Sequence, residues 1–167
     1  MSGTTRNLRD AEIYILDGNA VPNELLIPIS EGDLAFTEKN NSFIVMNRGR
    51  IDSRKQGDET ALDLNFSIKF EQWQYKSGTT GLSPIDVLKG SAVAVAAGWV
   101  STDTCGPWAV TLEFRMYDPC NKANYERLRF IYVHVDEFAF KEGSEYNSVA
   151  IKGTALQGSV ESTYVTP

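Results

Sequence analysis

The side chains that could carry out chemistry are few, and the sequence does not group them. His134, the single histidine, stands between Val133 and Val135 in a segment that reads as a strand. A histidine acts as a general base only beside an orienting carboxylate and a nucleophile, and no motif supplies either. We therefore predict a strand histidine held by a hydrogen bond, and we expect no enzymatic activity.

The carboxylates do not form a catalytic pattern either. Asp63 and Glu71 fall on the same side of an alternating segment, and the adjacent Asp136 and Glu137 point to opposite faces. A glycosidase-type pair needs two carboxyl groups about 5–10 Å apart in a cleft, and nothing in the sequence marks one. Solvated strand faces are the favoured interpretation.

Metal and phosphate sites are equally unsupported. One histidine and two cysteines, Cys105 and Cys120, are too few for a structural zinc site. Gly90 and Gly98 enclose alanine and valine, without the Lys-Ser/Thr pair of a phosphate-binding loop. We expect no metal and no cofactor.

Residues 47–60 form a charged segment between two apolar stretches. Their single bulky apolar residue, Ile51, predicts a long, polar, mobile loop, and loops beyond about 12 residues are usually functional or disordered. No aromatic residue lies between Arg48 and Lys55, so base stacking is unsupported. Guanidinium groups pair well with carboxylates, which favours an acidic protein partner; a solvated loop without a role is the alternative.

Composition and charge narrow the class of protein. The chain has 167 residues, 42% hydrophobic and 23% charged, which is typical of one globular domain. Its net charge of −6 disfavours ordinary binding to nucleic-acid phosphates. The most apolar run, residues 92–97, is far shorter than the roughly 20 residues of a membrane span. No secretory signal follows Met1, so we expect a protein made in a cytosol, with no membrane segment.

Alternation of apolar and polar residues is the main structural signal. It runs through residues 62–70 and again through residues 108–116. A period of two turns the apolar side chains to one face, as in antiparallel sheets with one solvated face. Within residues 128–140 the phase changes, which predicts a bulge, a bend or burial on both faces. Further strands are predicted at residues 11–16, 25–30, 34–38, 43–46 and 147–160.

One helix is predicted at residues 83–89. Ser83 suits the N-cap, Pro84 the first helical position, Asp86 the first turn and Gly90 the exit. The fold class is therefore mainly β: an antiparallel β-sandwich or partial barrel with one short flanking α-helix and a long inter-strand loop. We expect residues 1–167 to form one domain, with residues 1–10 as an N-terminal arm.

The order of these features resembles that of the tail tube (major tail) proteins of long-tailed bacteriophages. The resemblance rests on residues 48–59 leading into the alternating strand at Leu62, and on the short helix. It rests also on residues 105–120 and on the closing segment 150–155. It extends over residues 11–163, nearly the whole chain.

The resemblance implies a virion protein whose hexameric rings stack into a tube that delivers the genome. Its partners would be further copies of itself and other tail proteins, such as the tape measure, terminator and distal tail proteins. Double-stranded DNA would pass through without specific binding, as an acidic lumen would allow. The protein would be located in the virion tail, and in the host cytoplasm during assembly.

The resemblance also suggests roles for the polar residues. The contact between stacked rings is predicted to involve Arg48, Arg50, Asp52, Arg54, Lys55, Asp58 and Glu59. Residues turned away from the core by the alternation are predicted to line the channel, and these are Asp63, Asn65, Ser67 and Glu113.

Two alternatives stay open at this point. The first is a small β-sandwich module of a virion that binds a receptor or a carbohydrate, for which Trp73, Tyr75 and Trp108 would be the exposed aromatics. The second is a tail-terminator-like ring protein, which the sequence does not distinguish from a tube subunit.

Overall fold

A computed structural model describes residues 11–27, 34–39, 41–58, 60–69, 82–118, 121, 123–143, 147–156 and 160–166. The predicted N-terminal arm, residues 1–10, lies outside the described residues. So do Glu59, Trp73, Tyr75 and Cys120.

The described residues form ten strands and two short helices. In chain order they are β1 (Ala11–Leu16), β2 (Glu24–Ile27), β3 (Ala35–Thr37), β4 (Ser42–Asn47), β5 (Arg50–Gln56), β6 (Leu62–Lys69), α1 (Pro84–Lys89), α2 (Ala92–Ala96), β7 (Val110–Tyr117), β8 (Tyr125–Lys141), β9 (Ser148–Ala155) and β10 (Glu161–Val165). Every predicted strand has a counterpart. The predicted strand at 147–160 is too long, because β9 ends at Ala155 and a separate strand, β10, follows.

Eight strands form one antiparallel sheet in the order β2-β1-β7-β8-β9-β6-β3, with β10 paired to the first part of β8. In a flat sheet β3 would lie three strand spacings, about 14 Å, from β8. Phe36 of β3 nevertheless contacts Phe130 of β8, with ring centroids 5.3 Å apart. The sheet therefore curls around its own apolar face, which confirms the predicted mainly β, antiparallel class.

The alternation in β6 separates buried apolar side chains from polar ones, as predicted. Leu62, Leu64, Phe66 and Ile68 are each no more than 4% exposed, whereas the intervening residues are exposed or half-buried. Burying a side chain of this size contributes about 1.5–3 kcal/mol. Register with β9 is therefore tightly specified, since a shift by one residue would expose the whole apolar set.

The phase change in β8 has one of the three predicted causes, a β-bulge. Its pairing with β7 shifts by one residue between the pairs Val110–Val133 and Leu112–Phe130. Tyr132, inside this bulge, has φ 55. A second shift, in the pairing with β9, falls between Val135 and Glu137. Two bulges thus bend the 17-residue strand β8. Its first part pairs with β7 and β10, and its second part pairs with β9.

The predicted helix α1 has the predicted caps. The Ser83 hydroxyl accepts a hydrogen bond from the Asp86 amide, and the Asp86 carboxylate accepts one from the Ser83 amide. Gly90 ends the helix in the left-handed conformation. Trp108 donates its Nε1 proton to the Val87 carbonyl at 2.8 Å, which fixes α1 against the sheet.

The prediction of one helix was wrong, because α2 follows directly after Ser91. The segment alternates alanine, a strong helix former, with valine, a weak one, and five residues are too few for a periodic signal. Its only buried residue is Ala94, so packing and the Ser91 cap form a helix that the sequence pattern does not indicate.

The prediction of a long loop at residues 47–60 was also wrong. Residues 50–56 are strand β5, paired with β4. Arg48 and Gly49 form the two-residue turn between β4 and β5. Both have positive φ, 48° and 78°, as a type I′ hairpin turn requires. The period-two pattern is obscured here because neither face of this hairpin is buried in the protomer.

We expect Gly90→Ala to be more destabilising than Gly98→Ala. Both glycines have positive φ, 62 and 86, where an L residue costs about 1–2 kcal/mol. Only at Gly90 would the added Cβ overlap a side chain, the Trp108 ring, whereas nothing lies within 4 Å at Gly98. Overpacking of this kind adds about 1–3 kcal/mol. Urea unfolding measures the difference, and equal losses would mean that the indole moves aside freely.

Candidate assembly surfaces

The β4–β5 hairpin, residues 42–56, is a two-stranded sheet separate from the main one. The chain enters the hairpin from β3 and leaves it toward β6. At the base of the hairpin, the Gly57 amide donates a hydrogen bond to the Asn41 carbonyl at 2.7 Å. Six residues of strand extend about 20 Å. Every residue of β4 and β5 is exposed or half-buried, so the hairpin extends away from the buried core.

Large apolar side chains are exposed along this hairpin. Phe43, Ile44, Met46 and Ile51 are 54%, 56%, 56% and 70% exposed. The register places Met46 opposite Ile51, with Ile44 two residues earlier on the same face. Isolated two-stranded hairpins are at best marginally stable in water, and the described residues leave these apolar side chains exposed.

The charged residues predicted for the inter-ring contact lie on the same hairpin. Arg48 occupies the turn, and the exposed residues Arg50, Asp52, Arg54 and Lys55 lie on β5. The Arg54 Nε donates to the Ser42 hydroxyl at 2.6 Å. Asp58 follows the strand and is exposed. No ion pair involves these side chains within the described part of the chain, and their contact role stays a prediction.

The polar face of β6 contains three of the residues predicted to line a channel. Asp63 and Asn65 are exposed and Ser67 is half-buried, opposite Leu64 and Phe66 as the alternation requires. Neighbouring strands extend this face with three charged residues and a threonine: Asp136, Glu137, Lys152 and Thr154. The prediction that Asp136 and Glu137 point to opposite faces was wrong, because the bulge in β8 lets both bond to side chains on one face of β9.

Ion pairs on this face are exposed. The Lys39 Nζ lies 2.9 Å from the Asp63 carboxylate, and the Lys152 Nζ lies 2.8 Å from that of Glu137. All four side chains are more than half exposed, and such pairs contribute about 0–1 kcal/mol. The face therefore has mixed charge, and the channel role of Asp63, Asn65 and Ser67 stays a prediction.

The placement of Glu113 on an exposed channel surface was wrong. Its side chain points away from Leu112 and Phe114, but the residue is only 1% exposed. Arg115 donates its Nε proton to the Glu113 carboxylate at 2.7 Å, and Arg127 and Arg129 lie 3.8 and 4.0 Å from it. Long arginine side chains cover this face, which alternation alone does not reveal.

Arg115 occupies the centre of this cluster. It also donates to both Glu24 oxygens, at 2.8 and 3.3 Å, and its guanidinium lies 4.1 Å from the Tyr14 ring centroid. Burial by itself would lower the pKa of Arg115, but the hydrogen bonds to Glu24 and Glu113 raise that pKa above its ordinary value. The cluster thus connects β1, β2, β7 and β8.

His134 has the predicted structural role. Its Nδ1 lies 3.2 Å from the Trp108 carbonyl oxygen, and its Nε2 lies 4.0 Å from the Asp103 carboxylate. Trp108 is itself half-buried, with its indole bound to α1. Trp108 is therefore not available as an exposed aromatic of a binding module.

Within the described residues, no three His, Cys, Asp or Glu side chains converge as metal ligands would. The two described helices are too short to cross a membrane.

Comparison with known proteins reveals relatives in fold. No protein-family model matches the sequence, and no curated protein does. A chain of the PVC extracellular contractile injection system, in its extended sheath–tube complex, superposes with a TM-score of 0.61. The sequences are 6% identical, and the match covers 96% of this chain and 93% of that chain.

Two other assemblies contain similar chains. A chain of the PVC sheath/tube terminator has a TM-score of 0.61 and 6% identity over 98% of this chain and 99% of its own. A chain of the six-fold symmetrised baseplate of the anti-feeding prophage has a TM-score of 0.51 and 7% identity, covering 99% and 97%. At such low identity the likeness shows the fold alone: this chain shares the fold of chains in contractile injection systems.

Proposed function

We propose that the protein is a structural subunit that forms hexameric rings, and that the rings stack into the tail tube of a bacteriophage. The observation that carries the proposal is the projecting β4–β5 hairpin, whose apolar side chains the described protomer leaves uncovered. A chain that exposes such a surface needs a partner, and a second copy is the simplest one.

The shared fold supports this proposal. The match spans nearly the full length of this chain and of chains in sheath–tube and baseplate assemblies, one of them solved with six-fold symmetry. A contact between two different patches of the same chain, repeated by rotation, closes into a ring. Repetition of a second such contact along the axis produces a tube.

Sedimentation velocity tests the proposal in solution. We expect large species at high protein concentration in moderate salt, and a sharp loss of monomer as concentration rises. A monomer that persists over the whole range would count against assembly and in favour of the binding-module alternative.

A ring protein that terminates the tube is the second candidate. The similarity to a chain of the sheath/tube terminator assembly supports this candidate. That chain has the same TM-score, 0.61, as the chain of the sheath–tube complex. Electron micrographs separate the two, because a tube subunit forms tubes of many rings whereas a terminator stops at single rings.

The polar face of β6 is our candidate for the channel wall. We expect the double change Asp63→Lys and Asn65→Lys to leave tubes intact and to slow DNA ejection, since cationic side chains bind phosphate. Losing the exposed Lys39 pair costs at most about 1 kcal/mol. Ejection rates of particles carrying the variant measure the effect.

The matched control adds the same charge, +3, at exposed positions elsewhere, with Glu142→Lys just after β8 and Thr163→Lys on β10. Equal ejection rates for both variants and the wild type would show that the β6 face does not line the channel.

A further inference from the structure

A second exposed apolar surface surrounds α2. Val21, Val93, Val95 and Val100 are 86%, 43%, 54% and 43% exposed. We call these four residues the α2 patch. Residues 91–100 contain no charged residue, so a partner that packs on this segment would not desolvate a charged side chain of it.

Hydrogen bonds join the two segments that carry the α2 patch. The Nδ2 groups of Asn19 and Asn23 donate to the Gly98 carbonyl at 3.1 and 3.3 Å, and the Gly18 amide donates to the Val100 carbonyl at 2.9 Å. These bonds fix the turn that carries Val21 against the end of α2.

A buried carboxylate keeps this surface in place. Asp17, 4% exposed, accepts hydrogen bonds from the backbone amides of Asn19, Asn23 and Val100 and from both asparagine side chains. A surface fixed in this way is organised before binding, so little entropy is lost when a partner docks.

The β4–β5 hairpin has the matching chemistry. One face carries Ile44, Met46 and Ile51, which we call the hairpin stripe. Residues 42–56 contain four basic side chains and one acidic one, a net +3 that leaves −9 for the rest of a chain of charge −6. The hairpin is therefore attracted to the body of another copy, and its apolar stripe needs an apolar surface there.

We propose that the hairpin stripe of one copy packs on the α2 patch of a second copy. This pairing rests on the proposed function and identifies the two surfaces that form one of the contacts between subunits. The two patches differ, so the contact is heterologous and is repeated from copy to copy. Basic residues of the hairpin steer the approach, and apolar burial supplies most of the affinity.

Cross-linking tests the pairing directly. In a Cys105→Ser, Cys120→Ser background, one preparation carries Ile51→Cys and another carries Val95→Cys. Oxidation of the mixture should produce disulfide-linked dimers that neither preparation forms alone, because a bridge needs Cα atoms within about 7 Å. Leu156→Cys, at another exposed apolar residue, replaces Val95→Cys in the control.

Assembly measurements complete the test. We expect Val95→Asp to raise the concentration for half-assembly roughly tenfold, the loss of about one buried apolar side chain, whereas Leu156→Asp leaves it unchanged. Tubes that form without cross-linking, and that tolerate Val95→Asp, would overturn the pairing while leaving the proposed function intact. Wild-type protein that never assembles would overturn both.

Discussion

Replacing Glu113 with leucine is expected to destabilise the protomer by about 3–5 kcal/mol, because it removes one partner of a buried ion cluster. The Glu113 carboxylate is the buried acceptor for Arg115 and lies within 4.0 Å of Arg129. The Nε atoms of Arg127 and Arg129 are buried and have no hydrogen-bond partner among the described residues. Without Glu113, positive charge would remain beneath the surface with less compensation. Chemical denaturation of purified monomer measures the loss.

Glu24→Gln is the control for this prediction. Glu24 contacts the same guanidinium, but its side chain is 45% exposed, and exposed pairs contribute about 0–1 kcal/mol. A loss for Glu113→Leu no larger than that of Glu24→Gln would show that the cluster is solvated and does not hold the sheet together.

Shortening the hairpin is expected to abolish polymerisation while leaving a folded protomer. The variant joins Ser42 to Gln56, which pair across the base of the hairpin, through an Asn-Gly turn. The removed residues contribute no side chain to the buried core, so the unfolding midpoint should move little. Assembly should be lost, because the deletion removes both the exposed apolar residues and the four basic side chains. Sedimentation and circular dichroism measure the two effects.

A full-length hairpin with Arg50→Gln and Lys55→Gln separates charge from apolar contact. If ionic pairs with the next ring dominated, this variant would assemble only weakly, and the wild type would dissociate as salt rises. We expect instead that it assembles more slowly and reaches similar tubes. Normal tubes from the shortened chain would show that the hairpin is only a solvated connector.

The sequence specified those parts of the fold whose side chains pack within the protomer. Strand β6 alternates because one face is buried, and α1 is bounded by Ser83 and Gly90, whose capping roles are local. The two β8 bulges appear as a change of phase. These signals depend on residues near one another in the chain or on a single buried face.

The parts that could not be predicted depend on surfaces elsewhere. The hairpin keeps both faces in solvent, so its apolar residues follow no period, and only Gly49 indicates a turn. Glu113 has the parity of an exposed residue, and arginines from β7 and β8 cover it only after the strands pair. The α2 helix is stabilised by Ser91 and by the burial of Ala94, neither of which makes a recognisable pattern.

Cryo-electron microscopy of the purified protein at high concentration tests the central claim most directly. We predict rings of six subunits around an open lumen, stacked into tubes, with the β4–β5 hairpin in contact with a neighbouring copy. Dispersed monomers, or assemblies in which the hairpin remains free in solvent, would contradict it.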